Sequence, residues 1–533
     1  MLSMQKPQNQ AITNYVGDNG EWELFAQALA KLPRNLDIPL FIGDKEVYAD
    51  TKIADVSPIT GEVIATAQKA TRQHAEAAVT AALTAKTAWA QLPWEHRIAK
   101  FRDLEQILYA RRHEICAALA LECGYTLSEC AADWAEMMDY LRFQPYYYHE
   151  LHQTKLGEAA GETNLLRLRS LKGFTCAITP FNFPIAIGYN LPTVMALCGN
   201  TVVWKPSSDA PLVSWILMRA LRDADFPPGV INMITGSGTE ILPPILRHPE
   251  LTAVNFTGGC DAARQIAGVL YNPDQARPNF PRFVAETGGK GFTVVDAQAN
   301  LYDAAHSIVI GAFNRSGQKC SATSLVFCHK RVWYELKALL TDLLGRYRTG
   351  NPLFRDTQMG PVINRSAFDS ITGFIKRATT DTSCKLFAGG GFDDSHGLFI
   401  QPTCVEVTKF PHETMQTEIF GPVVACYDYQ DVDEIIRIMD KIPYRLTGAI
   451  WSADESWLAK YIPIFAEYAG NFYVNRKTTG AMVDQQPFGG DGASGTNCKA
   501  GGMWYLLQFI SQGVVTRRHT RLSPQNGLWE WAK

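Results

Sequence analysis

Two textures of apolar and polar residues divide the chain. Residues 1 to 38 are polar and weakly patterned apart from one short amphipathic piece over 22–32, which reads as an arm lying on the body. PLFIGDKEVYAD then reads as a hairpin, and within 72–90 the run HAEAAVTAALTAKTAWA is alanine-rich at a helical period. Helical spacing continues over 98–121, expected as one helix, and over 127–143, where Glu136 and Asp139 lie three apart and share a face.

From Gly173 the texture changes to short β-rich runs alternating with helical ones. GFTCAITP, NTVVWKP, INMIT and TAVNFTG are separated by helical patterns over 186–197, 212–222 and 240–247, with another over 262–270. After Gly288 the alternation restarts with GFTVVD, a helix over 301–316, TSLVFCHK and a helix over 332–346. A loop-rich stretch runs through the GGGFDDSHG turn, and PVVACYDY, GAIWS and GNFYVN follow with helices over 431–441 and 457–468. Strand-helix-strand succession predicts parallel sheets, because parallel neighbours need a crossover and a helix supplies it. The fold class is therefore α/β, with two doubly wound units and a nucleotide expected at strand carboxyl ends.

Composition narrows the partners. At 533 residues the chain exceeds what one core usually holds, and 46% hydrophobic with 19% charged residues is ordinary for a globular protein. A net charge of −3 gives no electrostatic case for nucleic acid or an anionic membrane, so a small molecule is the expected partner. The twelve cysteines form no CxxC pair, and Cys116, Cys176, Cys198 and Cys426 sit in apolar surroundings, which suits a reducing compartment. With neither a secretory nor a transit pattern at the start and no apolar run near the ~20 residues of a membrane span, a cytoplasmic location is expected.

The candidate chemistry begins at Ser316-Gly317-Gln318-Lys319-Cys320-Ser321-Ala322, a thiol set between a glycine turn and small residues. A free thiol titrates near ~8.5 and needs nearby dipoles or cations to become thiolate, so Lys319 would activate it if it faced the sulfur. Gly236-Ser237-Gly238 and Phe256-Thr257-Gly258-Gly259 each follow a strand and open a helix, where unpaired N–H groups suit a pyrophosphate. Neither is a GxGxxG match, since Ile241 stands at the third glycine. His149-Glu150-Leu151-His152 fails as a zinc motif by one position, no Walker lysine or GxSxG elbow occurs, and no metal is expected.

Asn182 in TPFNFP, Lys205 in VVWKPSS, Glu286 in AETGGK, Cys320 in GQKCSA and Glu418 in EIFGPV together resemble the aldehyde dehydrogenase superfamily, in order and spacing from about residue 40 onward. AGNFYVNRKTTGAMVDQQPFGG, followed by ASGTN, resembles the branch acting on glutamate γ-semialdehyde, the Δ1-pyrroline-5-carboxylate dehydrogenases. The resemblance implies two Rossmann-like domains with an oligomerisation flap. Their expected bounds are an arm at 1–38, an NAD-binding domain at 39–160 and 174–287, a catalytic domain at 288–478, and a flap and carboxy-terminal strand at 161–173 and 499–522.

By the same resemblance Cys320 is the nucleophile, Asn182 and the Cys320 N–H hold the oxyanion, and Glu286 activates water. Lys205 would meet the adenosine ribose, Gly236 and Gly258 the pyrophosphate, Glu418 the nicotinamide ribose and Phe420 the ring. Ser208 and Gly259 depart from the usual acid and serine; lack of that acid weakens the case against NADP, so NAD is expected with NADP use left open. The substrate carboxylate would lie on the N–H groups of Gly480 and Ala481 and the Ser321 hydroxyl, with Glu136 facing the α-ammonium and Phe183 and Phe488 flanking the chain.

The implied activity is NAD-dependent oxidation of L-glutamate γ-semialdehyde to glutamate in proline degradation, with a separate proline dehydrogenase as metabolic partner. The alternatives are another semialdehyde or an aromatic aldehyde and, from a different class, an inactive binding or structural homologue. LLRLRSLKG and SQGVVTRRH alternate apolar and basic residues as edge strands awaiting a partner would, so a homo-oligomer, dimer or hexamer, is expected.

Overall fold

Both runs of alternating elements close into seven-stranded sheets in a computed structural model that describes residues 4–15, 17, 19–274 and 276–519. The first sheet has the spatial order Arg282–Glu286, Leu251–Thr257, Phe174–Ile178, Val202–Lys205, Ile231–Met233, Leu40–Ile42, Lys45–Val47. Its first five strands are parallel, and the hairpin at 40–47 adds an antiparallel edge. The second runs Cys384–Ala388, Thr403–Val407, Val423–Tyr429, Thr323–His329, Gly291–Val295, Thr447–Trp451, Asn471–Val474, with only its first strand antiparallel. Every residue of Phe174–Ile178, Gly291–Val295 and Thr447–Trp451 is buried, as strands covered on both faces require.

In the first sheet the chain leaves Phe174–Ile178 in one direction and returns to Leu251–Thr257 on its other side. Crossover loops separate at such a reversal and leave a crevice at the strand carboxyl ends. Asn182 follows one of these strands and Gly258 the other. Cys320 precedes Thr323–His329, and Glu418 and Phe420 precede Val423–Tyr429, so the second sheet presents its strand amino ends to the same region.

Several expected elements differ. The helix expected over 98–121 is two, Trp94–Ala110 and Arg112–Cys123, broken at Arg111 without any glycine or proline to mark it. The next runs from Leu127 to His152 through Pro145, because Tyr147, Tyr148 and Leu151 are buried beyond the proline and packing outweighs the lost backbone bond. The loop-rich stretch holds the helix Arg365–Thr380, capped by Asn364 and burying Phe368, Ile371, Ile375 and Ala378 once per turn. The helix expected over 301–316 stops at Phe313, and a turn over 314–317 follows.

The arm carries the helix Glu21–Lys31 and buries Tyr15 and Phe25 against the body. Its Asn9 Nδ2 and Gln10 N donate to the Asp139 carboxylate at 2.8 and 2.6 Å. Glu162–Ser170 pairs antiparallel with Ile510–Arg518 in a ribbon that exposes Leu165, Val514 and Val515. The strand expected to begin near 499 is preceded by a 3₁₀ segment, Met503–Phe509, and residues 520–522 lie outside the described residues. No described helix is long and apolar enough to cross a membrane.

Candidate active site

The backbone before Cys320 occupies a costly conformation. Arg315, Ser316 and Gly317 have φ of 54°, 54° and 67° in succession, and a side chain in that region costs about 1–2 kcal/mol per residue. The surroundings hold it there. The Arg315 N–H donates to Glu129 Oε1, which also accepts from Asn314 Nδ2 at 2.6 Å, and the Ser316 hydroxyl donates to the Gly360 carbonyl at 2.8 Å. At Gly289 a Cβ would fall 2.1 Å from the Cys320 carbonyl oxygen, so that carbonyl lies directly against the glycine.

Cys320 is partly exposed, whereas most of the other cysteines are buried. Burial pushes its thiol up to about 12, and the nearby Glu418 and Glu286 carboxylates add to the effect while the N–H groups of Cys320 and Ser321 oppose it. Lys319 donates its ammonium to Asn314 Oδ1, and burial followed by Arg315 lowers its own pKa to about 7. It is therefore tied to the turn rather than turned to the sulfur.

Glu286 ends the strand Arg282–Glu286 and accepts from the Gly490 N–H at 3.0 Å through Oε2, while its Oε1 is buried without a hydrogen-bond partner among the described residues. Burial raises its pKa well above the ordinary carboxyl range, and the Gly490 bond and Lys499 only partly offset that. Such a group is suited to taking a proton. Glu418 accepts from the Gly289 N–H at 2.7 Å and lies so near Gly288 that a Cβ there would meet its Oε2 at 2.0 Å. Asn182 is buried, and its backbone carbonyl accepts from the Tyr125 hydroxyl and, at 2.6 Å, from Arg315 Nη1.

The expected substrate contacts fall on two sides of this centre. The Ser321 hydroxyl donates to Thr479 Oγ1 at 2.9 Å, immediately before Gly480, whose φ is 88°. Lys477 passes beneath that turn, its Nζ 3.5 Å from where a Gly480 side chain would start, and Arg476 donates to the Gly480 carbonyl at 3.3 Å. Phe488 is tied to Ala500 by paired backbone bonds of 2.8 Å. Opposite, Phe183 lies 3.8 Å beneath the Arg315 guanidinium, and Glu136 lies in the field of Asp133, Arg315 and Lys319, with a pKa raised to about 8 chiefly by burial.

On the cofactor side the residues present fit a dinucleotide. Gly259 starts the helix Cys260–Leu270, and a Cβ there would meet nothing within 4 Å, leaving the helix end approachable by phosphate. Among the described residues Lys205 Nζ donates only to the Pro206 carbonyl, at 3.1 Å, and burial lowers its pKa while the Asp209 charge partly opposes that. Ser208 is half-buried three residues beyond Lys205. Gly236 has φ of 150° and packs on the backbone of Ala70, which explains the glycine without any phosphate. Phe420 has φ of 53° and stands edge-on to Phe181 at 5.9 Å.

Arg315, Glu129, Thr479, Lys477 and Lys499 were not singled out in the sequence. A helical pattern running through 316 conceals the turn that aims Arg315 inward, and Glu129, three residues after the Thr126 cap, also completes a capping box in the first turn of its helix. Only RKTTG, inside the stretch that carries the family resemblance, could have pointed to Lys477 and Thr479.

Residues 46–515 match the profile of the aldehyde dehydrogenase family. The chain is 36% identical to the mitochondrial delta-1-pyrroline-5-carboxylate dehydrogenase of Emericella nidulans, over 94% of this chain and 90% of that one. It is also 36% identical to the 1-pyrroline-5-carboxylate dehydrogenase of Staphylococcus aureus, over 93% and 96%. The crystal structure of the delta-pyrroline-5-carboxylate dehydrogenase from Mycobacterium tuberculosis bound with NAD superposes with a TM-score of 0.93, 32% identity and 99% of both chains covered.

Proposed function

The chain belongs to the aldehyde dehydrogenase family, and we propose that it oxidises L-glutamate γ-semialdehyde, the open form of Δ1-pyrroline-5-carboxylate, to L-glutamate with NAD. The single observation that carries this is the approach of Glu286, from a strand carboxyl end of one sheet, to Cys320 at a strand amino end of the other, near enough for its charge to act on the thiol.

In the proposed mechanism the Cys320 thiol gives its proton to water and the sulfur attacks the aldehyde carbon, forming a thiohemiacetal. The new oxyanion lies between the Asn182 side-chain amide and the Cys320 N–H, and one such donor is worth about 2.7–4 kcal/mol of barrier. Bound NAD supplies the acceptor for the hydride that leaves this carbon, and Lys205, Gly236, Gly258, Glu418 and Phe420, with Ser208 beside them, are the residues that would hold it. Glu286 then takes a proton from water as its oxygen attacks the Cys320 thioester. The carbon–sulfur bond breaks, releasing glutamate and the Cys320 thiolate. Glu286 reaches this role from a position where burial already favours a bound proton.

Recognition of both charged ends sets the substrate. The N–H groups of Gly480 and Ala481 with the Ser321 hydroxyl hold the carboxylate, Glu136 faces the ammonium, and Phe183 and Phe488 flank the chain. An analogue lacking the carboxylate leaves those donors unpaired, which discriminates strongly. The NAD-binding domain at 39–160 and 174–287 and the catalytic domain at 288–478 divide these tasks, with the arm at 1–38 lying on the body. The 161–173 flap and carboxy-terminal strand join copies into a dimer or hexamer; the exposed Leu165, Val514 and Val515 support this. A proline dehydrogenase supplying the ring-closed substrate is the metabolic partner, and the cytoplasm is the proposed setting, in keeping with twelve free cysteines.

Steady-state NADH production tests the assignment. Pyrroline-5-carboxylate is expected to exceed succinate semialdehyde and propanal in kcat/KM, and Glu136→Ala is expected to raise KM for the first far more than for propanal. Equal activity on all three, or equal losses in the variant, would overturn the substrate.

A further inference from the structure

One buried cation ties the two halves of the centre together and has no part in the chemistry described above. Arg315 is 5% exposed, in the left-handed turn five residues before Cys320. Its Nη1 donates to the Asn182 carbonyl at 2.6 Å and to the Tyr125 hydroxyl at 3.4 Å, and that hydroxyl donates to the same carbonyl. Its guanidinium stacks 3.8 Å over Phe183 and 4.7 Å over Tyr125. Nη2 lies 3.4 Å from Asp133 Oδ1, a fully buried carboxylate that also faces the N–H groups of Ile185 and Ala186. Its own backbone N–H is held by Glu129. One residue thus grips the nucleophile turn through its backbone, and through its side chain the Asn182-Phe183 corner and the helix start that follows.

We propose that Arg315 is a positioning residue that sets the Asn182 amide against Cys320, acting through the Asn182 carbonyl. Its backbone belongs to the turn and its side chain is a planar fork whose donors point in set directions, so a displacement of the turn is transmitted to the corner rather than absorbed. Lysine keeps the charge opposite Asp133 but is a single point donor on a flexible stem, and cannot brace both sides. The proposal rests on Asn182 being an oxyanion donor, and the test separates the two.

The full-length protein is compared with Arg315→Met, Arg315→Lys, Asn182→Ala and both double variants, measuring kcat at saturating substrates, KM for NAD and Tm. Loss of a hydrogen bond to a charged group corresponds to about 10- to 100-fold in rate, so each Arg315 variant is expected to lower kcat by that amount with KM for NAD unchanged. In the Asn182→Ala background the same changes are expected to alter kcat by less than about twofold, the scatter of independent sites. A loss of equal size in both backgrounds would overturn the proposal, because Arg315 would then act on the fold alone. Unchanged kcat in either single Arg315 variant would also overturn it. Wild-type kcat in Asn182→Ala would overturn the oxyanion role itself, and the proposal with it. If Arg315→Met fails to fold, Arg315→Lys carries the same cycle.

Discussion

Gly289→Ala is the substitution whose cost can be worked most directly from the geometry. Gly288 and Gly289 link the strand bearing Glu286 to the strand Gly291–Val295, and neither φ is in the left-handed region, so the constraint at both is space. A Cβ at 289 would fall 2.1 Å from the Cys320 carbonyl oxygen, more than 1 Å inside an ordinary contact. The obstacle is backbone and cannot rotate away, so the residue carrying the thiol must move. A misplacement of about 1 Å at a reacting group can cost about 100-fold in rate, or about 2.7 kcal/mol of barrier. Overpacking would take a further ~1–3 kcal/mol from stability.

The assay is kcat on pyrroline-5-carboxylate at saturating NAD, with Tm measured alongside and Gly268→Ala, away from the site, as the neutral control, since a methyl there meets nothing within 4 Å. Gly288→Ala should behave differently. Its Cβ would meet the end of a side chain, Glu418 Oε2 at 2.0 Å, which can rotate at the expense of the Gly289 N–H bond. Its loss is expected in KM for NAD. A Gly289→Ala enzyme with kcat within twofold of the parent would refute the claim that the glycine pair sets the nucleophile.

Four further outcomes are expected. Alkylation of Cys320 by iodoacetamide, followed by peptide mass spectrometry, should rise steadily across about pH 7–9, because burial and then Glu418 and Glu286 disfavour the thiolate. Burial pushes the Glu418 carboxyl up to about 7, so Glu418→Gln should speed alkylation above that pH, where a negative charge is removed, and change nothing below it; a slowing at alkaline pH would contradict the assignment. Ser208→Glu should depress kcat/KM for NADP relative to NAD by more than about tenfold through repulsion of the 2′-phosphate, and an unchanged ratio would place that phosphate elsewhere. Val514→Glu, on the exposed ribbon strand, should lower the mass measured by light scattering, and an unchanged assembly would exclude the ribbon as the interface.

Much of this was legible before any coordinates, for identifiable reasons. Strands such as FTCAI and GFTVV are short apolar runs buried on both faces, and their alternation with helices specifies a parallel sheet almost uniquely. The strand Arg282–Glu286, which carries a proposed catalytic residue, was not legible, because RFVAE is too short and too charged to stand out. Arg365–Thr380 buries only one apolar residue per turn and is hidden by its polar majority. Arg111 breaks a helix with no breaker residue, so only tertiary packing could reveal the turn. At the site, motifs identified Cys320, Asn182, Glu286 and Glu418, but a motif does not show direction. Lys319 adjoins the nucleophile in sequence yet bonds Asn314, and Arg315 joins Asn182 across 133 positions of chain.

Cys320→Ala is the most direct measurement. Turnover of pyrroline-5-carboxylate to NADH should vanish while NAD binding, followed by calorimetry, stays close to that of the parent, because in the proposed mechanism the sulfur attacks the aldehyde and takes no part in holding the dinucleotide. NADH production retained in that variant would contradict the assignment of Cys320, and with it the covalent route to glutamate.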